Sequence, residues 1–310
     1  MEFKHVSVLF QETMDYLNPQ PGGVYADATL GGGGHSYGIL SRAQGVNLIG
    51  IDQDEAAICA AGKRLEKFQG QFTLVNRNFS DIKEILHDLH IRAIDGAVMD
   101  LGVSSYQLDE ADRGFSYMHD APLDMRMDKR REKSAYQIVN EYTKEALTKI
   151  FYEYGEENWS KRIAQFIIEA RDRQPVKTTG ELVDIIKAAI PKKARQDGGH
   201  PAKRVFQAIR IEVNGELEIL RQAVEDFAEV LKPGGRLAVI TFHSLEDRIV
   251  KSTFQALAKG CTCPKEFPIC VCNGKPAVKI LTRKPCIPTA DEMQENPRSK
   301  SAKLRVIEKL

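Results

Sequence analysis

The sequence predicts an α/β fold, a doubly wound and mostly parallel sheet interrupted by an inserted helical domain. Three observations carry this. Short apolar runs alternate with helix-like stretches from Val24 to Leu101. Four consecutive glycines, Gly31 to Gly34, stand at the first strand-to-helix turn. The alternation stops near Tyr106, gives way to charged helical sequence, and resumes near Asn214.

The apolar runs at 24–28, 47–51, 72–76 and 94–101 have strand length, and 36–42, 55–68 and 81–89 between them have helical character. A βαβαβαβ order implies a parallel sheet covered on both faces, with right-handed crossovers. Segments 144–154, 159–173 and 179–189 carry helical periodicity without strand patterns. A long helix is predicted over 202–231, stopped by Lys232-Pro233-Gly234-Gly235. Residues 236–242 read as a buried strand, and 277–282 and 303–307 as a closing antiparallel edge pair. The predicted division is therefore 1–106 with 214–310 as the α/β domain, and 107–213 as the insert.

Composition narrows the function. The chain has 310 residues, 42% hydrophobic and 28% charged, with a formal net charge of +1. A nucleic-acid site must then be a local basic patch rather than a global field. Charges run through the first residues, and no stretch is apolar enough for a signal peptide or a membrane span. A cytoplasmic protein is expected. Four cysteines form two pairs, Cys261-Thr-Cys263 and Cys270-Val-Cys272. Four thiols can close a zinc site, although CxC is a less usual spacing than CxxC; a surface hairpin of reduced thiols is the other reading.

The cofactor signal lies in Asp27-Ala-Thr-Leu-Gly31-Gly-Gly-Gly34-His35-Ser36. Glycines at this turn let a nucleotide-like ligand approach bare backbone. Neither register completes GxGxxG, since Ser36 or Tyr37 occupies the third position, and no GK[ST] follows. The glycine cluster after an acidic residue is instead like the first motif of class I methyltransferases. Asp52, closing the second strand, is placed to accept ribose hydroxyls, while Asp54 suits a helix cap. Phe79 follows the third strand, where it could pack on an adenine or on the core. Asp100 closes the fourth strand, where an open sheet presents its chemistry. A [DNS]PP[YFW] motif is absent there; the sequence reads Asp100-Leu-Gly-Val.

Longer motifs then make a specific match. Asp100-Leu-Gly-Val-Ser-Ser105, Gln107-Leu-Asp109, Arg113-Gly-Phe-Ser-Tyr117, Leu123-Asp-Met-Arg-Met-Asp128, Gly199-His-Pro-Ala-Lys-Arg-Val-Phe-Gln207, Phe242-His-Ser-Leu-Glu-Asp-Arg248 and Asn296-Pro-Arg-Ser-Lys-Ser-Ala-Lys-Leu-Arg305 resemble, in order, the ribosomal RNA small subunit methyltransferase H family. One departure is Tyr106, where the family usually has Pro. The resemblance implies a class I S-adenosylmethionine-dependent methyltransferase domain with an inserted helical domain for substrate recognition. It implies methyl transfer to N4 of a P-site cytidine in 16S rRNA within the small ribosomal subunit. It places cofactor contacts on Gly33, Gly34, His35, Asp52, Phe79, Asp100 and Gln107. A homodimer stays open.

The exocyclic amine of cytosine is a weak nucleophile, so the enzyme must chiefly orient it and stabilise the charge that develops on it. Asp100 and the carbonyls of residues 101–103 are the expected acceptors. His243 could reach the same site, or could be structural beside a Ser244 helix cap with Asp247 at near capping-box spacing. Phe115, Tyr117 and Tyr106 are candidates for stacking on an extruded base, or for core packing. Lys192, Lys193, Arg195, Lys203 and Arg204, with Arg298, Lys300, Lys303 and Arg305, are candidate phosphate contacts. A nucleotide-dependent oxidoreductase, a non-catalytic rRNA-binding assembly factor and a DNA amino methyltransferase are the rival readings.

Overall fold

A computed structural model describes residues 7–195, 199–260, 263 and 274–310. It divides into two compact units, Met1–Gly102 with Leu217–Leu310, and Val103–Glu216. In chain order the first unit opens with α1 (Phe10–Leu17), β1 (Val24–Asp27), α2 (Gly34–Arg42), β2 (Asn47–Ile51), α3 (Glu55–Arg64), β3 (Phe72–Val75), α4 (Ile82–Asp88) and β4 (Ile94–Asp100). The second unit holds α5 (Ser105–Asp109), α6 (Ala135–Glu141), α7 (Lys144–Glu153), α8 (Ser160–Arg171), α9 (Thr179–Ala189) and α10 (Lys203–Asn214). The chain then returns through α11 (Glu216–Val230), β5 (Leu231–Thr241), α12 (Ser244–Lys259), β6 (Val278–Ile280), α13 (Ala290–Glu295) and β7 (Lys303–Lys309).

Among the described residues the sheet of the first unit has seven strands in the order β3-β2-β1-β4-β5-β7-β6. β1 to β5 pair in parallel, and β7 runs antiparallel to both β5 and β6. This is the class I methyltransferase sheet. Strand order reverses beside β1, so β1 and β4 leave a crevice at their carboxyl ends, where such sheets bind ligands. Ala26, Ile49, Ala97, Met99, Val239 and Ile307 form one buried face with Leu220, Val224 and Phe227 of α11. Met14, Tyr25, Ile39, Leu48 and Val98 fill the other. The predicted closing pair is present, with β7 slotted inside so that β6 is the edge.

The helix expected over 202–231 is two helices. Gly215 ends α10 with φ +65°, a left-handed cap that glycine adopts without a Cβ penalty. Hydrophobic periodicity runs on across the break, so the pattern alone reads as one helix. Helices α1, α5, α6 and α13 were not anticipated; all are short, at eight residues or fewer.

The second unit packs its own core around Ile138, Phe151, Ile163, Ile186, Phe206 and Ile209. Asn214, 3% exposed, binds the 123–128 segment to α10. Its amide donates to the Met125 carbonyl at 2.8 Å and the Arg210 carbonyl at 2.9 Å, and its oxygen accepts from Met127 N at 2.9 Å. Among the described residues no helix is long and apolar enough to cross a membrane.

Candidate active site

The glycine turn is tied to three strands. Ala28 N donates to the Val98 carbonyl at 2.8 Å, Leu30 N to the Ile51 carbonyl at 3.0 Å, and Asp100 N to Thr29 Oγ1. Gly31 and Gly33 adopt φ +47° and +72°. A Cβ at Gly34 would collide with Ser7 Oγ, whereas one at Gly32 would meet open space. The turn thus presents bare backbone on one side and is closely packed on the other.

Acidic side chains ring this turn. Asp27 at the end of β1 is buried and accepts from Ser36 Oγ at 2.7 Å and from Thr29 N at 3.3 Å. Asp52 just past β2 accepts from Gly31 N and Asp54 N, both at 2.9 Å, one bond to each oxygen. Each oxygen keeps a lone pair for a ribose hydroxyl. Burial pushes both carboxyls up to about 6, against the hydrogen bonds that favour the ionised form. Asp54 caps α3 by accepting from Ala56 N at 3.1 Å.

Asp100 ends β4, paired with Ile240 of β5. Burial, then the charges of Asp27 and Glu246, raise its carboxyl well above the ordinary value. Its Oδ1 is buried with no hydrogen-bond partner among the described residues. His35, at the start of α2, sets Nδ1 3.7 Å from Asp100 Oδ2 and Nε2 3.2 Å from the Val8 carbonyl. Three carboxyls at neighbouring strand ends offer acceptors to a positively charged ligand, and burial holds each above its ordinary value. S-adenosylmethionine carries a sulfonium and an ammonium, and the bare glycine turn and twin-acceptor Asp52 suit its amino-acid tail and ribose. The donor set fits that cofactor.

The remaining predicted positions distribute as follows. Gly33 and Gly34 belong to the turn. Phe79, half-buried, packs on the core of the first unit just after Asn78, whose amide donates to Gln53 Oε1 at 3.0 Å. Gln107 lies in the second unit, where it completes a capping box with Ser104 at the start of α5. His243 itself caps α12, so the cap falls one residue before the expected Ser244, and its capping-box partner is Glu246. Nδ1 accepts from Glu246 N at 3.4 Å, and Nε2 lies 3.1 Å from Glu246 Oε1. Both ring nitrogens thus face Glu246.

Other expectations change. Asp247 forms no cap; it binds Arg305 at 2.6 Å and Lys303 at 3.3 Å. Arg305, 7% exposed, is therefore a structural ion-pair partner rather than a phosphate contact. Phe115 is core, at 6% exposure, and Tyr117 stacks on His200 at 4.5 Å, while Tyr106 is exposed. Lys192, Lys193, Lys203, Arg204, Arg298 and Lys300 remain on the surface. Of the four paired cysteines only Cys263 is among the described residues, so the zinc expectation on Cys261, Cys270 and Cys272 lies outside them. Asp27, Glu246 and Val8 were not anticipated as site residues. The spacing of Glu246 three residues after His243 was a legible cap signal; the Val8 contact had none.

Comparison with known proteins agrees over the whole chain. Residues 2–310 match the family model described as the MraW methylase family. A Clostridioides difficile (strain 630) protein named ribosomal RNA small subunit methyltransferase H is 57% identical over 311 residues, covering 100% of both chains. Proteins of the same name from Clostridium botulinum (strain Loch Maree / Type A3) and Symbiobacterium thermophilum are 58% and 56% identical, each across 100% of this chain and covering 100% and 98% of theirs. The site's carboxyl cluster and glycine turn therefore sit in a chain that belongs to the MraW methylase family.

Proposed function

We propose that this methylase transfers a methyl group from S-adenosylmethionine to N4 of a P-site cytidine in 16S rRNA of the small ribosomal subunit, working in the cytoplasm. The observation that carries the reading is Asp100 Oδ1, an acceptor buried beside the glycine turn with its lone pairs unclaimed among the described residues. A buried acceptor without a partner is costly, and a substrate amine supplies the missing donor.

When bound, S-adenosylmethionine supplies a methyl group already activated on sulfur. Asp52 would hold its ribose, and the backbone of the glycine turn, open at Gly32, would receive its tail. Asp100 would accept a hydrogen bond from the exocyclic amine and so orient its lone pair. The same carboxylate would stabilise the positive charge that develops on the amine, whose surplus proton then leaves to solvent. Glu246 and Asp27 add negative potential behind Asp100. His243 positions Glu246 and need not touch substrate. The helical unit, with Lys192, Lys193, Lys203 and Arg204 on its surface, recognises the rRNA.

The test is nucleoside mass spectrometry of rRNA from cells with and without the gene, alongside purified enzyme given small subunits and labelled cofactor. N4-methylcytidine should disappear from the deleted strain and reappear in vitro. A methyl group on carbon or on ribose would sink the assignment.

A further inference from the structure

We propose that the groove between α12 and the edge strand β6 is a second RNA-contact surface, holding an unpaired stretch of the substrate by its phosphates. The inference rests on the rRNA reading above.

The groove encloses about 510 Å³. Its floor is apolar, made by Phe254, Val278 and Ile280, the first two only 2% and 1% exposed. Lys251, Lys279 and Arg283 line it, and among the described residues no acidic side chain does. None of these three cations has a hydrogen-bond or ion-pair partner among the described residues. Several other basic groups of this unit are neutralised. Arg77 engages three carboxylates, Lys83 two, and Lys232 is held by Asp95. Two described acids on the neighbouring elements are already engaged. Glu308, opposite Lys279 in the sheet, is bound by Arg236 at 3.0 Å, and Asp247 is held by Arg305.

Unneutralised like charges gathered around a concavity repel one another, and low-dielectric walls focus their field outward. Such an arrangement is complementary to a polyanion. An apolar floor adds a surface for a ribose or base, which a bare phosphate ion would not use. The groove lies at the β6 edge, whereas the methyl-transfer site lies at the carboxyl ends of β1, β2 and β4. It can therefore grip RNA away from the reacting base and contribute binding without touching chemistry.

The experiment uses the full chain with Lys251→Gln, Lys279→Gln and Arg283→Gln combined, and a charge-retaining control carrying Lys251→Arg, Lys279→Arg and Arg283→Lys. Binding of small-subunit rRNA is followed across a salt series, with kcat and KM for methyl transfer and calorimetric affinity for S-adenosylmethionine. Each lost phosphate contact lowers the slope of log K against log salt by about 0.7–0.9, so the neutral variant should lose about 2 to 3. KM for rRNA should rise about tenfold, with kcat and cofactor affinity unchanged and the control near wild type. An unaltered slope and KM in the neutral variant overturns the proposal. So does displacement of rRNA from the groove by an acidic peptide as effective as RNA, which would assign the surface to a protein. A wild-type enzyme that binds rRNA through the groove but methylates no cytidine would instead overturn the proposed function alone.

Discussion

His35 stands between the Val8 carbonyl, 3.2 Å from Nε2, and Asp100, whose Oδ2 is 3.7 Å from Nδ1. A carbonyl only accepts, so Nε2 carries a hydrogen and a neutral ring turns its Nδ1 lone pair toward the carboxyl. The contact is attractive only when a proton sits on Asp100 or on Nδ1. Asp100 faces Asp27 and Glu246 as further negative groups, and all three favour holding that proton.

The first expectation is a pH dependence. Asp100 has its carboxyl raised, so its carboxylate appears only as pH rises through that elevated value. Methyl transfer at saturating cofactor should therefore climb from acid to alkaline pH. Single-turnover rates measured between about pH 5.5 and 9 check this. His35→Gln, which cannot take up the proton, should shift the profile; a flat wild-type profile would remove Asp100 as the working acceptor.

Asp100→Ala should lower kcat by about 10² to 10³, the usual cost of removing one electrostatic stabiliser of a transition state. Binding of rRNA should change little, because the charge on the amine develops only as the methyl arrives. Rapid-quench transfer and filter binding on the same preparation separate the two. Near-normal transfer at saturating cofactor would leave Asp100 a binding residue only.

Asp52→Ala should weaken cofactor binding by roughly 1.5–3 kcal/mol through loss of charge-assisted hydrogen bonds. For the wild type, calorimetric affinity should also strengthen as pH rises through about 6, where Asp52 becomes a carboxylate. A pH-independent affinity would argue that the ribose does not use this side chain.

Stability without cofactor should run the other way. Asp27 and Asp52 have folded values of about 6 against an ordinary 3.8. Raised carboxyls contribute stability below their unfolded value and lose it as pH climbs through the folded one, by about 3 kcal/mol each in the limit. Asp247, Asp124 and Asp128 are lowered by Arg305, Arg126 and Arg130 and oppose this at acid pH. The Tm of the cofactor-free protein should peak near about pH 4 and fall as pH climbs toward about 6, and Asp27→Asn should flatten that fall.

Asn214→Ala removes the side-chain hydrogen-bond partner of three backbone groups, at Met125, Met127 and Arg210. The expected loss is about 2–4 kcal/mol. Chemical denaturation of the full chain measures it. A change below about 0.5 kcal/mol would mean that the 123–128 segment is held by its other contacts.

Much of the fold was legible because local rules agreed. Alternating runs placed β1 to β4 to within a residue at each end and missed the first five residues of β5, which begins at Leu231; the glycine turn and Asp52 stood where a doubly wound sheet puts a ligand. The long motifs added the reaction. What escaped was decided by distant partners or by single residues. Gly215 breaks a helix whose periodicity continues across it. Arg305 reads as a free cation until Asp247, 58 positions away, is found beside it. His243 as a cap depends on one ring rotation. Val8 meets His35 only because the glycine turn brings α2 back over the N-terminal segment.

The position of β7 bears on how the chain is made. β4 pairs with β5 across the whole helical unit, and β7 enters between β5 and β6 although it follows both in sequence. Pairings so far apart are slow to form, and the loops they close are long. During synthesis the helical unit has only local partners to find and can fold as it emerges, whereas the half-sheet behind it waits with β4 exposed along one side. The interval between emergence of β4 and arrival of β7 is when this chain is most open to aggregation. Substitutions that slow folding of the second unit should therefore lower the yield of soluble enzyme while leaving its finished activity intact.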